Sequence, residues 1–104
     1  MSFLVEFSMF PTDKGESVSP YVSRIIDMID RSGVPYRLTP MGTVFEVESM
    51  EEALDIINRA YNQLEPDCSR VYTTIKMDIR KGKSGRIESK IKSVKEKLGR
   101  KVNE

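Results

Sequence analysis

Histidine and tryptophan are missing from these 104 residues, and cysteine occurs once. Without histidine there is no Ser-His or Cys-His nucleophile pair and no zinc site of the His-containing kinds. Acid–base chemistry would fall to carboxylates, Lys, Tyr or Cys68, a short set of candidates that points away from an enzyme. A lone cysteine closes no intrachain disulfide, so the cytoplasm is the expected compartment. Long uncharged apolar runs are absent too, and no membrane span is expected. The opening MSFLVEFSMF has no basic leader and carries Glu6 inside its apolar run, unlike a signal peptide.

What is present is an ordinary globular composition, 38% hydrophobic and 32% charged, long enough for one compact domain over residues 1–104. The net charge of +1 conceals an asymmetry. Residues 1–75 carry 6 Lys and Arg against 12 Asp and Glu, whereas residues 76–104 carry 11 against 4. A basic end of this kind fits a nucleic-acid tail, a helix lying on an acidic surface of its own or a neighbouring subunit, or a solvated helix face.

Period-2 alternation of Phe3, Val5, Phe7 and Met9 predicts a strand over 3–9. After the polar PTDKGES, Ser19-Pro20 predicts a helix start with Ser19 as N-cap, and Val22, Ile25, Ile26 and Ile29 form its stripe up to a stop at Gly33. Strands follow at 35–39 and 43–48. Ser49-Met50-Glu51-Glu52 is a capping box, launching a helix with Ala53, Ile56, Ile57, Ala60, Tyr61 and Leu64 inward, ended by Pro66. Residues 70–80 read as a long strand with Val71, Thr73, Ile75, Met77 and Ile79 on its core face. A last amphipathic helix carries Ile87, Ile91, Val94 and Leu98.

The order β-α-β-β-α-β plus an extra C-terminal helix is the split-βαβ, ferredoxin-like signature: an α+β fold with an antiparallel sheet and two helices on one face. The other sheet face is left open, showing Leu4, Glu6, Ser8, Thr39, Val44, Glu46, Glu48, Tyr72, Thr74, Lys76, Asp78 and Arg80. A second subunit or a small polar ligand is expected to cover part of it. Carboxylates on the central strands would repel phosphate, and only Tyr72 is aromatic there, which disfavours RNA binding across the sheet. A regulatory small-molecule module of the same topology would bring a Gly-rich first loop, but FPTDKGES has only Gly15. A cofactor-free oxygenase of similar fold fits poorly without histidine or tryptophan. Glu46, Lys76 and Asp78 could also form nothing more than a cross-strand ion-pair network.

Three stretches carry a family resemblance: VSPYVSRIIDMIDRSGVPYRLTPMGTVFEVE at 18–48, RVYTTIKMDIRKGK at 70–83 and IESKIKSVKEKL at 87–98. The chain resembles the small single-domain thiamine-binding proteins, relatives of the YkoF-like proteins. The resemblance implies a ferredoxin-like fold that assembles into homodimers or homotetramers through its sheets and C-terminal helix. It also implies binding of thiamine or its hydroxymethylpyrimidine half, without catalysis; no cofactor or metal is expected.

The opening of the hairpin, LTPMGT, suits such a ligand. An aminopyrimidine wants a carboxylate or carbonyl beside a hydroxyl, and its flat ring wants an apolar slot that Met can mould to. Pro40 stiffens the turn, and Gly42 permits unusual dihedrals or close backbone approach. Thr39 and Thr43 bring hydroxyls, Met41 is expected to cover the ring and Glu46 to accept from it. Tyr21 is the aromatic expected nearby, either at the ligand or on the core edge of its helix, and Thr74 and Lys76 complete the expected ligand-binding set. A homo-oligomeric scaffold with no small ligand is the alternative.

Overall fold

The computed structural model describes residues 1–104. Its elements are β1 (Ser2–Pro11), α1 (Ser19–Ser32), β2 (Tyr36–Thr39), β3 (Gly42–Val47), α2 (Met50–Asn62), β4 (Val71–Arg80) and α3 (Arg86–Leu98). The sheet order is β2-β3-β1-β4, every pairing antiparallel. This is the ferredoxin-like arrangement the element order predicts, with a helix added at the C-terminal end.

The alternation in β1 maps directly onto burial. Phe3, Val5, Phe7 and Met9 join Phe45 and Val47 of β3 beneath α1 and α2, which contribute Ile25, Met28, Ile29, Ala53, Ile56 and Ala60. Phe7 and Phe45 meet edge to face, with ring centroids 5.8 Å apart. The two helices start differently. Ser49 accepts from the Glu52 N–H at 3.1 Å, and the Glu52 carboxylate accepts from the Glu48 N–H at 2.9 Å, so the box closes one residue earlier than its usual form. The expected Ser19 cap is corrected: Ser19 lies within α1, Val18 is the N-cap, and no side chain caps the first turn. Pro20 still sits in that first turn, where its missing N–H costs no hydrogen bond. Gly33 ends α1 in the left-handed region at φ 82°, as expected.

Two expectations about burial fail for one reason. Register places Ile75 and Ile79 beside Phe7 and Phe3, on the core face, yet they are 40% and 48% exposed. They stand on the edge strand, and α1 and α2 pack over β1, β2 and β3 rather than over β4. Tyr61, expected inward, is exposed as well.

Helix α3 lies on the other side of the sheet. Its stripe of Ile91, Val94 and Leu98 remains exposed, Ile87 is half-buried and Arg86 is its one buried residue. Polar contacts at its N-terminal end hold it in place, as described next.

Candidate functional site

The Thr39–Gly42 hairpin is tight, and no residue but glycine in the chain has a positive φ. It therefore avoids the mirror-image turns that favour Asn-Gly. The Thr39 hydroxyl takes over the turn's polar groups: it accepts from the Met41 and Gly42 N–H groups at 3.3 and 3.1 Å and donates to the Gly42 carbonyl at 2.7 Å. Gly42 is needed for close approach rather than for a special dihedral. A Cβ there would lie 3.0 Å from the Phe7 carbonyl oxygen.

Behind this turn is a recess of about 270 Å³. Strand β1 contributes Phe7 through Phe10, α1 contributes Val22, Ile25 and Ile26, and the hairpin closes it with Thr39, Met41, Gly42 and Thr43. None of its lining residues is charged. Met41 projects at the rim with 87% of its surface exposed, an unbranched apolar side chain. Thr43 stands on the core side of β3, opposite Phe7, and is 5% exposed. Its hydroxyl makes no hydrogen bond within the chain, while no fully enclosed side-chain polar atom lacks a partner. The hydroxyl must therefore keep a path to solvent, which the recess supplies.

Four of the eight expected ligand residues thus converge at the turn, and four lie elsewhere. The Tyr21 ring packs at the edge of the core under the Arg24 guanidinium, 4.8 Å from the ring centroid. Thr74 and Lys76 face outward on the open side of β4, where Lys76 pairs with Glu6 at 2.9 Å.

Glu46 is the clearest departure. It stands on the face opposite Thr43, three residues or ~10 Å along the strand, so its carboxylate does not approach Met41. Its acceptors are engaged by Ser2 Oγ at 2.5 Å and by the Arg86 and Ile87 N–H groups at 3.1 and 3.3 Å. The carboxylate caps α3 from 40 residues away, supplying what Gly85 at the N-cap has no side chain to give. Burial pushes its pKa up, but the Ser2 hydroxyl, the two backbone donors and the Arg86 charge outweigh that and hold it below the usual glutamate range.

The same junction contains Arg86, which the sequence did not single out. Its guanidinium donates to Ser2 Oγ and to the carbonyls of Ser2 and Asp78, and pairs with the Asp78 carboxylate at 2.9 Å. Lys90 also reaches Asp78, at 2.8 Å. From that anchor α3 runs along the open face, and Arg37 of β2 pairs with Glu88. A groove of about 700 Å³ separates the helix from Leu4, Leu38 and Val44.

A family model described as "Thiamine-binding protein" matches residues 5–95. Among curated relatives, the UPF0045 protein of Methanocaldococcus jannaschii is 34% identical over 89% of this chain and 92% of its own length. A UPF0045 protein of Mycobacterium tuberculosis is 33% identical over 94% of this chain and 96% of its own. The crystal structure of the M. jannaschii protein superposes with a TM-score of 0.80, covering 91% of this chain and 97% of that one. A Thermotoga maritima protein, for which a role in thiamine biosynthesis or salvage has been suggested, superposes with a TM-score of 0.78 over 90% and 99% at 23% identity, a likeness of fold alone.

Proposed function

Because the chain belongs to the thiamine-binding protein family, we propose that it binds thiamine or its hydroxymethylpyrimidine moiety, without catalysis, as a cytoplasmic homo-oligomer. The observation that supports this reading is the uncharged recess behind the hairpin, with a hydroxyl on its wall that has no partner in the chain. A neutral aminopyrimidine fits such a lining, since apolar walls take the ring faces and a hydroxyl can meet a ring nitrogen or the exocyclic amine. The cationic thiazolium would stay outside, toward Met41 and solvent, because a charge without a counter-charge is costly to bury. Thr43 is the proposed polar contact, Met41 the cover, and Thr39 and Gly42 the residues that set the turn.

Self-association is part of the proposal. Ile91, Val94 and Leu98 of α3, with Ile75 and Ile79 of β4, leave apolar surface that a second copy would cover. A scaffold without a ligand would share this property, so sedimentation equilibrium tests assembly and calorimetry tests the function.

The deciding experiment is calorimetric titration with thiamine, thiamine phosphate and hydroxymethylpyrimidine in one buffer. The expected result is saturable binding of thiamine and of the free pyrimidine. Thr43→Val should weaken both about tenfold, the equivalent of one ~1.4 kcal/mol hydrogen bond, with the unliganded melting temperature unchanged. Absence of heat from all three ligands in a folded protein would refute the reading.

A further inference from the structure

A second cleft, of about 380 Å³, lies where β4 turns into α3, and none of its lining residues is apolar. We propose that it is a binding site for a compact phosphate-bearing anion, such as pyrophosphate or a phosphate monoester. Arg80 and Lys83 form one wall. The opposite wall is one face of α3, where Ser89, Lys92 and Ser93 recur at helical spacing. Arg86 and Lys90 complete the lining at the helix's first turns.

Five cations line the cleft, and among them only Arg86 and Lys90 have an ion-pair partner, sharing the one carboxylate of Asp78. Arg80, Lys83 and Lys92 have no ion-pair partner. With Asp78 and Glu46 beside Arg86, and Glu96 in the lining, the five cations leave the cleft at a formal charge near +2. Like charges lining one cleft repel one another, and a dianion among them relieves that repulsion while accepting hydrogen bonds. The Ser89 and Ser93 hydroxyls, which make no hydrogen bond in the chain, are the neutral donors.

The shape favours a small anion over a nucleic-acid strand. Strand binding wants a continuous basic groove with aromatic platforms for the bases, whereas this cleft has no aromatic side chain and Glu96 stands in its lining. The cleft is also separate from the recess behind the hairpin. Arg80 is opposite Ser2 at one end of β1, while the recess begins at Phe7 and extends to Phe10, ~17–27 Å along the strand. One small ligand does not span both, and the assignment holds whether or not the recess binds thiamine.

The test is calorimetry of the intact protein with sodium pyrophosphate and inorganic phosphate at 0.15 M salt. The variant is Arg80→Gln with Lys83→Gln, and the control is Lys97→Gln with Lys101→Gln, two cations outside the cleft that leave the same net charge. Saturable pyrophosphate binding that falls at least tenfold in the first variant and less than twofold in the control supports the site. Equal loss in both variants would mean diffuse charge attraction, and the absence of saturation would leave no site; either overturns the proposal. Tighter binding of an oligothymidylate than of pyrophosphate overturns it in favour of a nucleic-acid surface.

Discussion

Replacing Glu46 by Gln keeps the side chain's size and removes its charge and one of its two acceptor atoms. In the folded protein the carboxylate receives three donors: the Ser2 hydroxyl and the first two N–H groups of α3. The amide would turn its own N–H₂ toward at least one of them, leaving a buried donor facing a donor, at a cost of ~1.5–3 kcal/mol. Loss of the negative charge at the helix N-terminus adds ~0.5–1 kcal/mol. What still holds α3 is the polar set of Arg86, Glu88 and Lys90, since only Ile87 among its apolar residues is even half-buried. The expected outcome is release of α3 from the sheet rather than collapse of the core. Amide hydrogen exchange over residues 86–98 should accelerate about 30- to 900-fold, the equivalent of ~2–4 kcal/mol, while β1 and β3 keep their protection. The measurement is made on dilute protein, so that a partner subunit does not hold the helix. Unchanged protection of α3 in Glu46→Gln would refute the assignment of Glu46 as its anchor.

Gly42→Ala should lower stability by about 1 kcal/mol, read from the denaturation midpoint, because the new methyl presses on the Phe7 carbonyl across the β1–β3 ladder. An unchanged midpoint would show that the strands separate at no cost. Thr39→Val removes three hydrogen bonds of the turn and should cost ~1–2 kcal/mol; thermal melts check it, and a midpoint within a degree of the parent would contradict the account. Glu46 is depressed by the contacts already described, and Asp78 by the Lys90 and Arg86 hydrogen bonds. A depressed carboxylate contributes stability above its unfolded pKa and loses it as pH falls through the folded one. Docking of α3 should accordingly be constant above about pH 5 and weaken below about pH 4, followed by α3 amide exchange across that range. Release of the helix on raising the pH from 5 to 8 would have the wrong sign.

The sheet and its faces were legible because they are written in local periodicity. Phe3, Val5, Phe7 and Met9 alternate, and Ile25 and Ile29 repeat at helical spacing, so each side chain's face follows from its neighbours in sequence. Whether a face is then covered depends on strand order, which no local pattern encodes. Ile75 and Ile79 are exposed although their register is right. The turn offered a readable signal in Thr39, three residues before Gly42, the spacing of a hydroxyl that closes a turn on itself. Glu46 offered none: its partners are Ser2 and the start of a helix 40 residues on, and the chain between them carries no mark of the meeting. Arg86 escaped for the same reason, as one cation among many in a basic stretch. The recess could be approached from sequence only through LTPMGT, because its remaining wall comes from β1 and α1.

The position of β1 sets the order in which the fold can assemble. It is the first strand in the chain and sits between β3 and β4, pairing with β4 over ten positions from Ser2–Arg80 to Pro11–Val71. Local pieces such as the β2–β3 hairpin and the helices can form early. The central strand closes on its second neighbour only across a loop of some 60 residues, whose entropic cost must be met before the pairing returns anything. Until then one flank of β1 is an open edge bearing Phe3, Val5, Phe7 and Met9, a segment well suited to pairing with another chain. Folding of this protein should therefore be limited by arrival of β4, and conditions that delay it will favour aggregation through β1 over refolding.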